Sequence, residues 1–249
     1  MLKEERFEII LKQLKVSNKV TFEELAKELL VSEDTVRRDI EILYKNGLLS
    51  KVRGGAILRE KDPLSFSDRQ TFLSDEKNII ALKTQQFLKD GMTVFMDGGT
   101  TVGKVISYMP IDIQLRIITH NLSLVPLLQG YKNVELIILG GQFDFDLAIN
   151  TGAITCNEAS KYIADVFILS TCAIDENFGI SSTSVKDLET KTAMLKSSKK
   201  IITLAHQNKL RRTEAFKVCN VSDITVLITD LPGDSPDLNS LRDSGIQIV

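Results

Sequence analysis

Cysteine and histidine are scarce in this chain of 249 residues, which has three cysteines and two histidines. Cys156, Cys172 and Cys219 are far apart, form no CxxC motif and have no histidine pair near them in the sequence. This spacing argues against a disulfide framework and against a zinc site, and it fits a reducing compartment. We therefore expect no metal and no cofactor.

Long apolar runs are also missing from the chain. The first seven residues are rich in charge and lack the apolar segment of a signal peptide. No apolar run approaches the ~20 residues that a membrane-spanning helix needs. Neither a Walker A motif nor a GxGxxG motif occurs, which disfavours nucleotide binding. These absences predict a cytoplasmic protein without a membrane partner.

The charges are unevenly distributed, although the formal net charge is only −2. Between residues 35 and 59, basic side chains outnumber the two acidic ones, Asp39 and Glu41. The basic residues of this segment are Arg37, Arg38, Lys45, Lys51, Arg53 and Arg59. A basic segment in a nearly neutral chain indicates one surface that binds a polyanion.

The first 58 residues have the pattern of a winged helix-turn-helix. Thr21 and Glu24 form a capping-box signature for one short helix. Ser32 is placed to cap a second helix, and residues 48–58 follow as two short strands around a glycine turn. The apolar stripe of the second helix comprises Val36, Ile40 and Leu43. We place the helix-turn-helix at about residues 20–39 and the whole domain at residues 1–58.

Side chains that bind the DNA major groove lie on the exposed face of the second helix, near its N-terminus. The candidates for DNA contact are Ser32, Thr35, Arg37, Arg38, Lys51, Arg53, Gly54 and Gly55. Thr35 and the two adjacent arginines face away from the apolar stripe, and the basic residues of the wing are placed to bind flanking phosphates. A solvated charged helix is the alternative. The agreement of cap, turn, stripe and wing favours DNA binding.

The remainder of the chain has a different pattern. Residues 59–75 lose the helical periodicity and contain Pro63, so they are predicted to be a linker. From residue 76 to residue 249, apolar runs alternate with amphipathic stretches. The predicted strands are 92–96, 116–119, 134–139, 166–169, 200–204 and 225–229, and the predicted helices are 79–88, 102–109 and 185–196. This alternation predicts an α/β fold with a mostly parallel sheet covered by helices on both faces.

A glycine-threonine turn follows the first of these strands. Asp97 is followed by Gly98, Gly99, Thr100 and Thr101, where a helix is predicted to begin. Glycines allow the backbone to approach a ligand closely, and the free amides at a helix start bind anions. Phosphate is the expected ligand. The alternative is an ordinary strand-to-helix turn without a ligand.

Several segments, in order along nearly the whole chain, are similar to the DeoR family of bacterial transcription regulators. In the first domain these are Val31 to Leu43 and Gly47 to Ala56. In the second region they are Asp97–Thr101, Thr119–Leu122, Leu139–Gly141, Ala173–Asp175, Lys191 with Ala193 and Met194, and Leu204–Lys209.

The resemblance implies an effector domain that is similar in fold to sugar-phosphate isomerases, with a phosphorylated sugar or related metabolite as ligand. The implied effector site comprises Asp97, Gly98, Gly99, Thr100, Thr101, Thr119, His120, Asn121, Asp175, Lys191 and Lys209. In this site residues 98–101 hold the phosphate and either lysine offsets its charge. Asp97, Asn121 and Asp175 bind hydroxyl groups.

The chain departs from the family pattern at three positions. Arg53 stands where histidine is usual, which adds a permanent cation to the wing. His120 replaces the usual asparagine and His206 the usual aspartate, so the identity of the ligand is open. Considered without the resemblance, each histidine is expected at the surface or one layer behind the residues that contact a ligand.

The leading hypothesis is a repressor of carbohydrate genes that binds double-stranded operator DNA as a dimer or tetramer and is released by the metabolite. An enzyme of the sugar-phosphate isomerase type with an attached DNA module is the alternative. Asp175, Glu176 and Glu189 are its possible acids and bases, but no second carboxylate near Asp175 is arranged like the acidic cluster typical of such isomerases. A third possibility is a winged helix that binds protein, and a steep salt dependence of DNA binding would argue against it.

Overall fold

The computed structural model describes residues 3–45, 48–57, 69 and 73–249. The chain divides into two compact units, Met1–Ser74 and Asp75–Val249. Most of the expected linker at residues 59–75 lies outside the described residues, as does Arg59. The domain boundaries drawn from the sequence therefore stay predictions.

The amino-terminal unit combines three helices with a three-stranded antiparallel sheet of order β1-β3-β2. Its elements are α1 (Lys3–Ser17), β1 (Lys19–Thr21), α2 (Phe22–Leu29), α3 (Glu33–Lys45), β2 (Ser50–Val52) and β3 (Gly55–Ile57). The two wing strands were expected, and β1 adds a third strand that pairs Val20 with Ala56. This arrangement is a winged helix-turn-helix.

Local capping fixes where α2 and α3 begin. The Thr21 side chain accepts a hydrogen bond from Glu24 N–H, and the Glu24 carboxylate accepts one from Thr21 N–H, which completes the predicted capping box. Thr35 N–H donates to Ser32 Oγ over 3.2 Å at the start of α3. These bonds satisfy amides that helix geometry leaves without partners. The apolar stripes of the helices then close one core around Leu25 and Ile40.

The carboxy-terminal unit is built on a seven-stranded sheet of order β15-β14-β12-β9-β4-β5-β6, in which every pair is parallel. Its strands are β4 (Met92–Met96), β5 (Leu115–Thr119), β6 (Val134–Ile138), β9 (Val166–Ser170), β12 (Ile201–Leu204), β14 (Val226–Ile228) and β15 (Gln247–Ile248). The sheet confirms the α/β fold class with a mostly parallel sheet.

Helices and two smaller β-structures complete this unit. The helices are α4 (Ser74–Thr84), α5 (Thr100–Ser107), α6 (Val125–Leu128), α7 (Ala153–Ala159), α8 (Val185–Lys196) and α9 (Asn239–Arg242). The smaller structures are a hairpin of β7 (Gln142–Asp144) and β8 (Ile149–Thr151), and a sheet of β10 (Ala173–Asp175), β11 (Gly179–Ser182) and β13 (Phe216–Cys219). Neither of these was predicted.

Two apolar cores cover the two faces of the large sheet. Along β4, Val94 and Met96 belong to one core while Phe95 belongs to the other. This alternation is the period of two that a strand imposes on its side chains. Both cores are fully buried at these positions, which explains why the strands are near-continuous apolar runs in the sequence. No helix among the described residues is long and apolar enough to cross a membrane.

Candidate functional site

One face of α3 is buried and the opposite face carries cations. Val36, Ile40 and Leu43 have no exposed surface, whereas Arg37 and Arg38 are both exposed. Thr35, in the first turn of the helix, is partly exposed. The structure therefore leaves both arginines at the surface, as the sequence pattern predicts for a helix that enters the major groove.

Arg37 is held at the beginning of α3 by two contacts. Its guanidinium lies 4.4 Å from the centre of the Phe22 ring and 3.2 Å from Glu33 Oε2. A cation over an aromatic face is attracted by the ring quadrupole. Phe22 is the first residue of α2, so this side chain also links the two helices of the motif. These contacts with described residues position Arg37 before any partner binds.

The two acidic residues of the basic segment differ in burial and in ion-pair partner. Asp39 is buried, and its Oδ2 lies 2.6 Å from Arg6 Nε, so its charge faces α1 and not the surface. Glu41 remains partly exposed and lies 2.6 Å from Lys51 Nζ. The surface charge of Lys51 is therefore compensated, which the sequence did not indicate. The side chain of Lys45 lies outside the described residues.

The wing turn depends on its two glycines for different reasons. Gly54 has a φ of +88° with no atom near a hypothetical Cβ, so only its backbone conformation favours glycine. A Cβ at Gly55 would lie 2.0 Å from Val20 O, so its side chain is excluded by β1. Arg53 precedes them and is exposed. The candidate DNA residues thus share one unit, on α3 and on the wing.

In the second unit, the glycine-threonine turn joins β4 to α5. Gly99 has a φ of +110°, and a Cβ there would lie 3.3 Å from Ser170 Oγ. A Cβ at Gly98 would lie 2.7 Å from Asn121 Nδ2. Helix α5 begins at Thr100 without a side-chain cap, so the amides of its first turn depend on solvent or on a ligand. Turn and helix together form a geometry that suits an anion.

A buried ionic cluster lies beside this turn, and we define it as Asp97, His120, Asp187 and Lys191. Lys191 Nζ is 3.3 Å from Asp97 Oδ2 and 2.8 Å from Asp187 Oδ2. All four residues are at most 9% exposed. Asp97 Oδ2 also accepts hydrogen bonds from Ser170 N–H and Oγ, at 2.9 and 2.7 Å, and Asp187 Oδ2 accepts one from Ser182 Oγ at 2.7 Å. The two Oδ2 atoms are therefore well satisfied by the protein itself.

In the buried ionic cluster, burial and the neighbouring charges shift the pKa values of the ionisable groups in opposite directions. Burial opposes the charged form of Lys191, but the Asp187 and Asp97 carboxylates outweigh it and raise the pKa of Lys191. Burial likewise opposes ionisation of Asp187, yet Lys191 and the Ser182 hydroxyl keep the pKa of Asp187 low. The ammonium is thus fully charged and already neutralised by two carboxylates. The resemblance implies that Lys191 or Lys209 offsets the charge of a phosphate, and in the structure the Lys191 ammonium contacts two carboxylates.

His120 follows β5 directly and is completely buried. Its Nε2 lies 3.7 Å from Asp97 Oδ1, beyond hydrogen-bond distance. Burial lowers the pKa of His120, and the nearby carboxylates of Asp97 and Asp187 offset this only in part. The imidazole is therefore neutral near pH 7. His206 is also buried, so neither histidine lies at the surface, and the alternative that each lies one layer behind the ligand-contacting residues stays a prediction.

Asn121 and Thr119 form the turn after β5. Asn121 Nδ2 has no hydrogen-bond partner among the described residues, whereas its Oδ1 accepts from Ser123 N–H at 2.8 Å. Thr119 Oγ1 accepts from Asn121 N–H at 3.1 Å, so this hydroxyl stabilises the turn. The hairpin supports the same segment, because Asn150 N–H donates to His120 O over 2.7 Å. Thr119 therefore positions the turn, while the Asn121 amide faces Gly98.

Two of the implied effector residues have other partners in this structure. Asp175 Oδ1 accepts from Asn177 N–H and Phe178 N–H, which caps the turn between β10 and β11. Lys209 Nζ donates to Thr171 O, just beyond the end of β9. The Asp175 carboxylate is thus bound by the backbone of its own turn, and the Lys209 ammonium binds the backbone that follows β9. The structure thus brings the residues that follow β4 and β5 together with Lys191.

Sequence reasoning missed Asp187, Ser170 and Ser182. The signal for Asp187 was its spacing of four residues from Lys191 on a predicted helix, where opposite charges meet on one face. Ser170 is the last residue of β9, beside β4 in the sheet, and Ser182 ends β11, a strand that was not predicted. Only the order of strands in space places these serines beside Asp97 and Asp187.

Comparison with known families agrees with both units. Residues 6–62 match the DeoR-like helix-turn-helix domain, and residues 73–231 match the DeoR C terminal sensor domain. Among solved structures, ribose 5-phosphate isomerase A from Methanocaldococcus jannaschii is 15% identical with a TM-score of 0.41, covering 55% of this chain and 54% of that one. The translation initiation factor eIF-2B from Pyrococcus horikoshii OT3 is 13% identical with a TM-score of 0.47, covering 92% and 81%.

Curated relatives match over the length of the chain. The HTH-type transcriptional repressor GlcR of Bacillus subtilis (strain 168) is 30% identical, covering 100% of this chain and 96% of the relative. The glycerol-3-phosphate regulon repressor of Haemophilus influenzae is 30% identical, covering 98% and 95%. The repressor of the same name from Escherichia coli (strain K12) is 27% identical, covering 100% and 99%. With both domains matched in order, this chain belongs to the DeoR family of helix-turn-helix transcription regulators.

Proposed function

We propose that this chain is a repressor that binds operator DNA through α3 and the wing, and that a phosphorylated sugar or polyol bound in the second unit releases it from DNA. The observation that carries the DNA part is the exposure of Arg37 and Arg38 opposite a fully buried stripe. Family membership supports it, and relatives named as repressors of glycerol-3-phosphate genes suggest the chemical class of the effector.

On DNA, the roles of the candidate residues differ. Arg38 and Thr35 are in position to contact base edges, since they lie on the exposed face of α3 near its N-terminus. Arg37 is positioned by Phe22 and Glu33 for a phosphate or a base at the edge of the same groove. Arg53 and the turn at Gly54 bind the flanking backbone, and Lys51 contributes there only by exchanging Glu41 for a phosphate.

In the second unit, the phosphate is held at the start of α5. The uncapped amides from Thr100 onward and the threonine hydroxyls are the donors, and Gly98 and Gly99 leave the backbone accessible. Since Lys191 is already neutralised by two carboxylates, the helix start carries most of the attraction for the anion. A coupling free energy of about 1–3 kcal/mol between the two sites is enough for release from DNA.

A homo-oligomer, as a dimer or tetramer, is part of the proposal. Two copies related by a two-fold axis would present two α3 helices to half-sites about one helical turn apart. The partner of this oligomer is then chromosomal operator DNA, and the protein acts in the cytoplasm. Analytical ultracentrifugation of the full chain, with and without operator DNA, tests this point.

DNA binding is tested by titrating the full chain into a labelled duplex from the region upstream of its own gene. The logarithm of affinity should fall linearly with the logarithm of salt, by about 0.9 per phosphate neutralised. Arg38→Ala should weaken binding about 10-fold. Lys132→Ala is the matched control, because it removes the same charge from an exposed position in the second unit. Binding that ignores salt and Arg38 would point to a winged helix that binds protein.

The effector is tested by screening inorganic phosphate, glycerol 3-phosphate and pentose and hexose phosphates for thermal stabilisation and for release of bound DNA. At least one phosphorylated metabolite should do both. Thr100→Val should weaken the response, because it removes one hydroxyl donor from the phosphate site, while DNA binding in the absence of metabolite stays unchanged. The same incubations, followed for sugar interconversion, report on the isomerase alternative, for which turnover at enzyme-like rates would be required.

A further inference from the structure

A buried ion pair joins the first and third helices of the amino-terminal unit. Asp39 lies on α3, three residues after Val36 in the stripe that faces the core, and is 2% exposed. Both of its carboxylate oxygens are bound by Arg6 of α1, with Nε 2.6 Å from Oδ2 and Nη2 3.1 Å from Oδ1. A carboxylate in an apolar stripe opposes packing unless it is paired. Arg6 therefore compensates the charge that α3 buries against α1.

We propose that Arg6 is a positioning residue for DNA recognition, which fixes the rotation of α3 about its own axis through Asp39. The direction in which Thr35 and Arg38 meet base edges then depends on a residue that lies on another helix. The inference rests on the proposed function, since it assumes that α3 enters the major groove. It adds a residue of α1 to the determinants of operator specificity, and it requires no contact between that residue and DNA.

Apolar packing alone leaves the rotation of α3 weakly defined. Helices α1 and α3 contact each other, and one core contains Ile10, Leu14, Ile40 and Leu43. Burial of such side chains is favourable but has no direction, and apolar cores lose a unique arrangement before they lose stability. The planar guanidinium, in contrast, binds a carboxylate in one geometry through two parallel hydrogen bonds. A rotation of α3 that the apolar side chains tolerate would break both bonds.

Asp39 is placed to control the exposed face of α3, because it follows Arg38 directly in the sequence. Side chains of a helix end about 5–6 Å from its axis, so a rotation of about 20° moves such an end by about 2 Å. Hydrogen-bond lengths vary over only about 0.5 Å, so contacts to base edges do not survive this displacement. Arg37 already links the start of α3 to α2. The pair with Arg6 acts farther along the helix and from α1, so α3 is fixed from two directions.

Two other roles of the ion pair predict different measurements. A pair that only stabilises the fold changes the folded fraction, and so weakens binding to every duplex by one factor. A pair that only removes the charge of Asp39 also acts on every duplex alike, because the phosphate backbone is common to all sequences. A change in orientation acts on the contacts to bases, which carry the sequence information. The ratio of affinities for an operator and for a shuffled duplex therefore isolates positioning.

The test measures this ratio with the full chain. Fluorescence anisotropy gives dissociation constants for duplexes tiled across the region upstream of its own gene and for a shuffled version of the tightest one. The wild-type chain should prefer the tightest duplex over its shuffled version by at least about 1,000-fold. In Arg6→Met this preference should fall at least about 10-fold, while binding to the shuffled duplex changes less than about 2-fold. Arg6→Lys keeps the charge but not the planar fork, so it should give an intermediate preference.

Arg6→Met combined with Asp39→Leu separates positioning from stability. Replacing a buried ion pair by apolar residues of similar volume commonly preserves stability. This double variant should therefore match the wild type in thermal unfolding, while its preference for the tightest duplex stays low because the directional contact is gone. It also decides the question if Arg6→Met alone fails to fold.

Arg116→Met is the matched control, because it removes an arginine from an exposed ion pair with Glu135 in the second unit and should leave both dissociation constants unchanged. Equal weakening on both duplexes in Arg6→Met, or recovery of the full preference in the double variant, overturns the positioning role while DNA binding stands. A wild-type chain that does not distinguish the two duplexes overturns the proposed operator recognition, and the role of Arg6 with it.

Discussion

Lys191 is enclosed by carboxylates where water is excluded, with Asp187 Oδ2 at 2.8 Å and Asp97 Oδ2 at 3.3 Å. Removing the ammonium leaves two buried carboxylates without a cation, so Lys191→Met should lower the free energy of unfolding by about 3–5 kcal/mol. Urea denaturation at pH 7 measures this loss. Asp187→Asn introduced into Lys191→Met should restore part of it.

Lys186→Met is the matched control for Lys191→Met, because Lys186 lies on the same helix and its side chain is 53% exposed, 3.5 Å from Asp144 Oδ2. An exposed ion pair of this kind contributes about 0–1 kcal/mol. Equal losses in the two variants would contradict the role assigned to Lys191. They would indicate that α8 responds to any change of lysine and not to the loss of the buried charge.

His120 predicts a dependence of stability on pH. Burial holds the pKa of the native imidazole below its ordinary value, so the stability it contributes is fully present above pH ~6.5, where the unfolded chain is also neutral. As the pH falls below ~6.5, the unfolded chain takes up a proton that the native state resists. The free energy of unfolding should then decrease by at most about 1.4 kcal/mol per pH unit. Urea denaturation between pH 7 and pH 5.5 should show a shallower decrease for His120→Asn.

At the scale of single residues, part of the candidate effector site could be predicted from the sequence. Asp97, the glycine-threonine turn and Asn121 follow strand-like runs, and parallel strands bring their carboxyl ends to one edge. The partner of Lys191 could also be predicted, from its spacing with Asp187. The distance from His120 to Asp97 could not, because it depends on which strands are neighbours in the sheet. Asp175 resembles a ligand-binding residue in the sequence, yet its carboxylate caps its own turn.

At the scale of secondary-structure elements, the two glycines of the wing allow two alanine substitutions to be compared. Gly54→Ala meets no atom and is opposed only by its positive φ, so it should cost about 1–2 kcal/mol. Gly55→Ala would place its methyl group 2.0 Å from Val20 O and 2.8 Å from Thr21 Cα, so β1 and β3 would have to separate. Its loss of stability in urea should clearly exceed that of Gly54→Ala. The reverse order would show that β1 is not fixed against the wing.

Long, strongly patterned elements were predictable and short ones were not. The strand at Met92–Met96 and the helix at Val185–Lys196 have the predicted bounds. The first helix of the second unit was placed at 79–88, but it begins at Ser74, where a polar first turn obscures the apolar period. Strands of three or four residues, such as β1 and β10, have too few positions for alternation to be visible and depend on their neighbours for stability.

For the whole molecule, the proposal predicts that the two activities separate. Arg38→Ala should weaken DNA binding without changing the thermal stabilisation by a phosphorylated effector. Thr100→Val should reduce that stabilisation and leave DNA affinity in the absence of effector unchanged. Both variants are measured by anisotropy with operator DNA and by thermal shift with the tightest phosphate compound. Loss of both properties in either variant, with reduced helical content, would mean that the substitution unfolds the chain.

The division into two units and the parallel sheet of the second were predictable, because helical period and strand runs occupy different parts of the chain. The order of strands was not, since every parallel crossover from one apolar run to another is compatible with the same sequence pattern. β9 lies beside β4 although about seventy residues separate them. This neighbour relation supplies Ser170 to Asp97 and was visible only in three dimensions.

The hairpin of β7 and β8 is a place where the effector domain can change without a substitution among the side chains beside the glycine-threonine turn. Its backbone binds the segment after β5, with Asn150 N–H on His120 O and Leu122 N–H on Ala148 O. Its tip, at Phe145, is exposed. Lengthening or shortening that tip would shift the main chain beneath the imidazole without replacing any side chain around it. Ligand preference could then diverge between related regulators through loop length alone, while every residue facing the metabolite stayed the same.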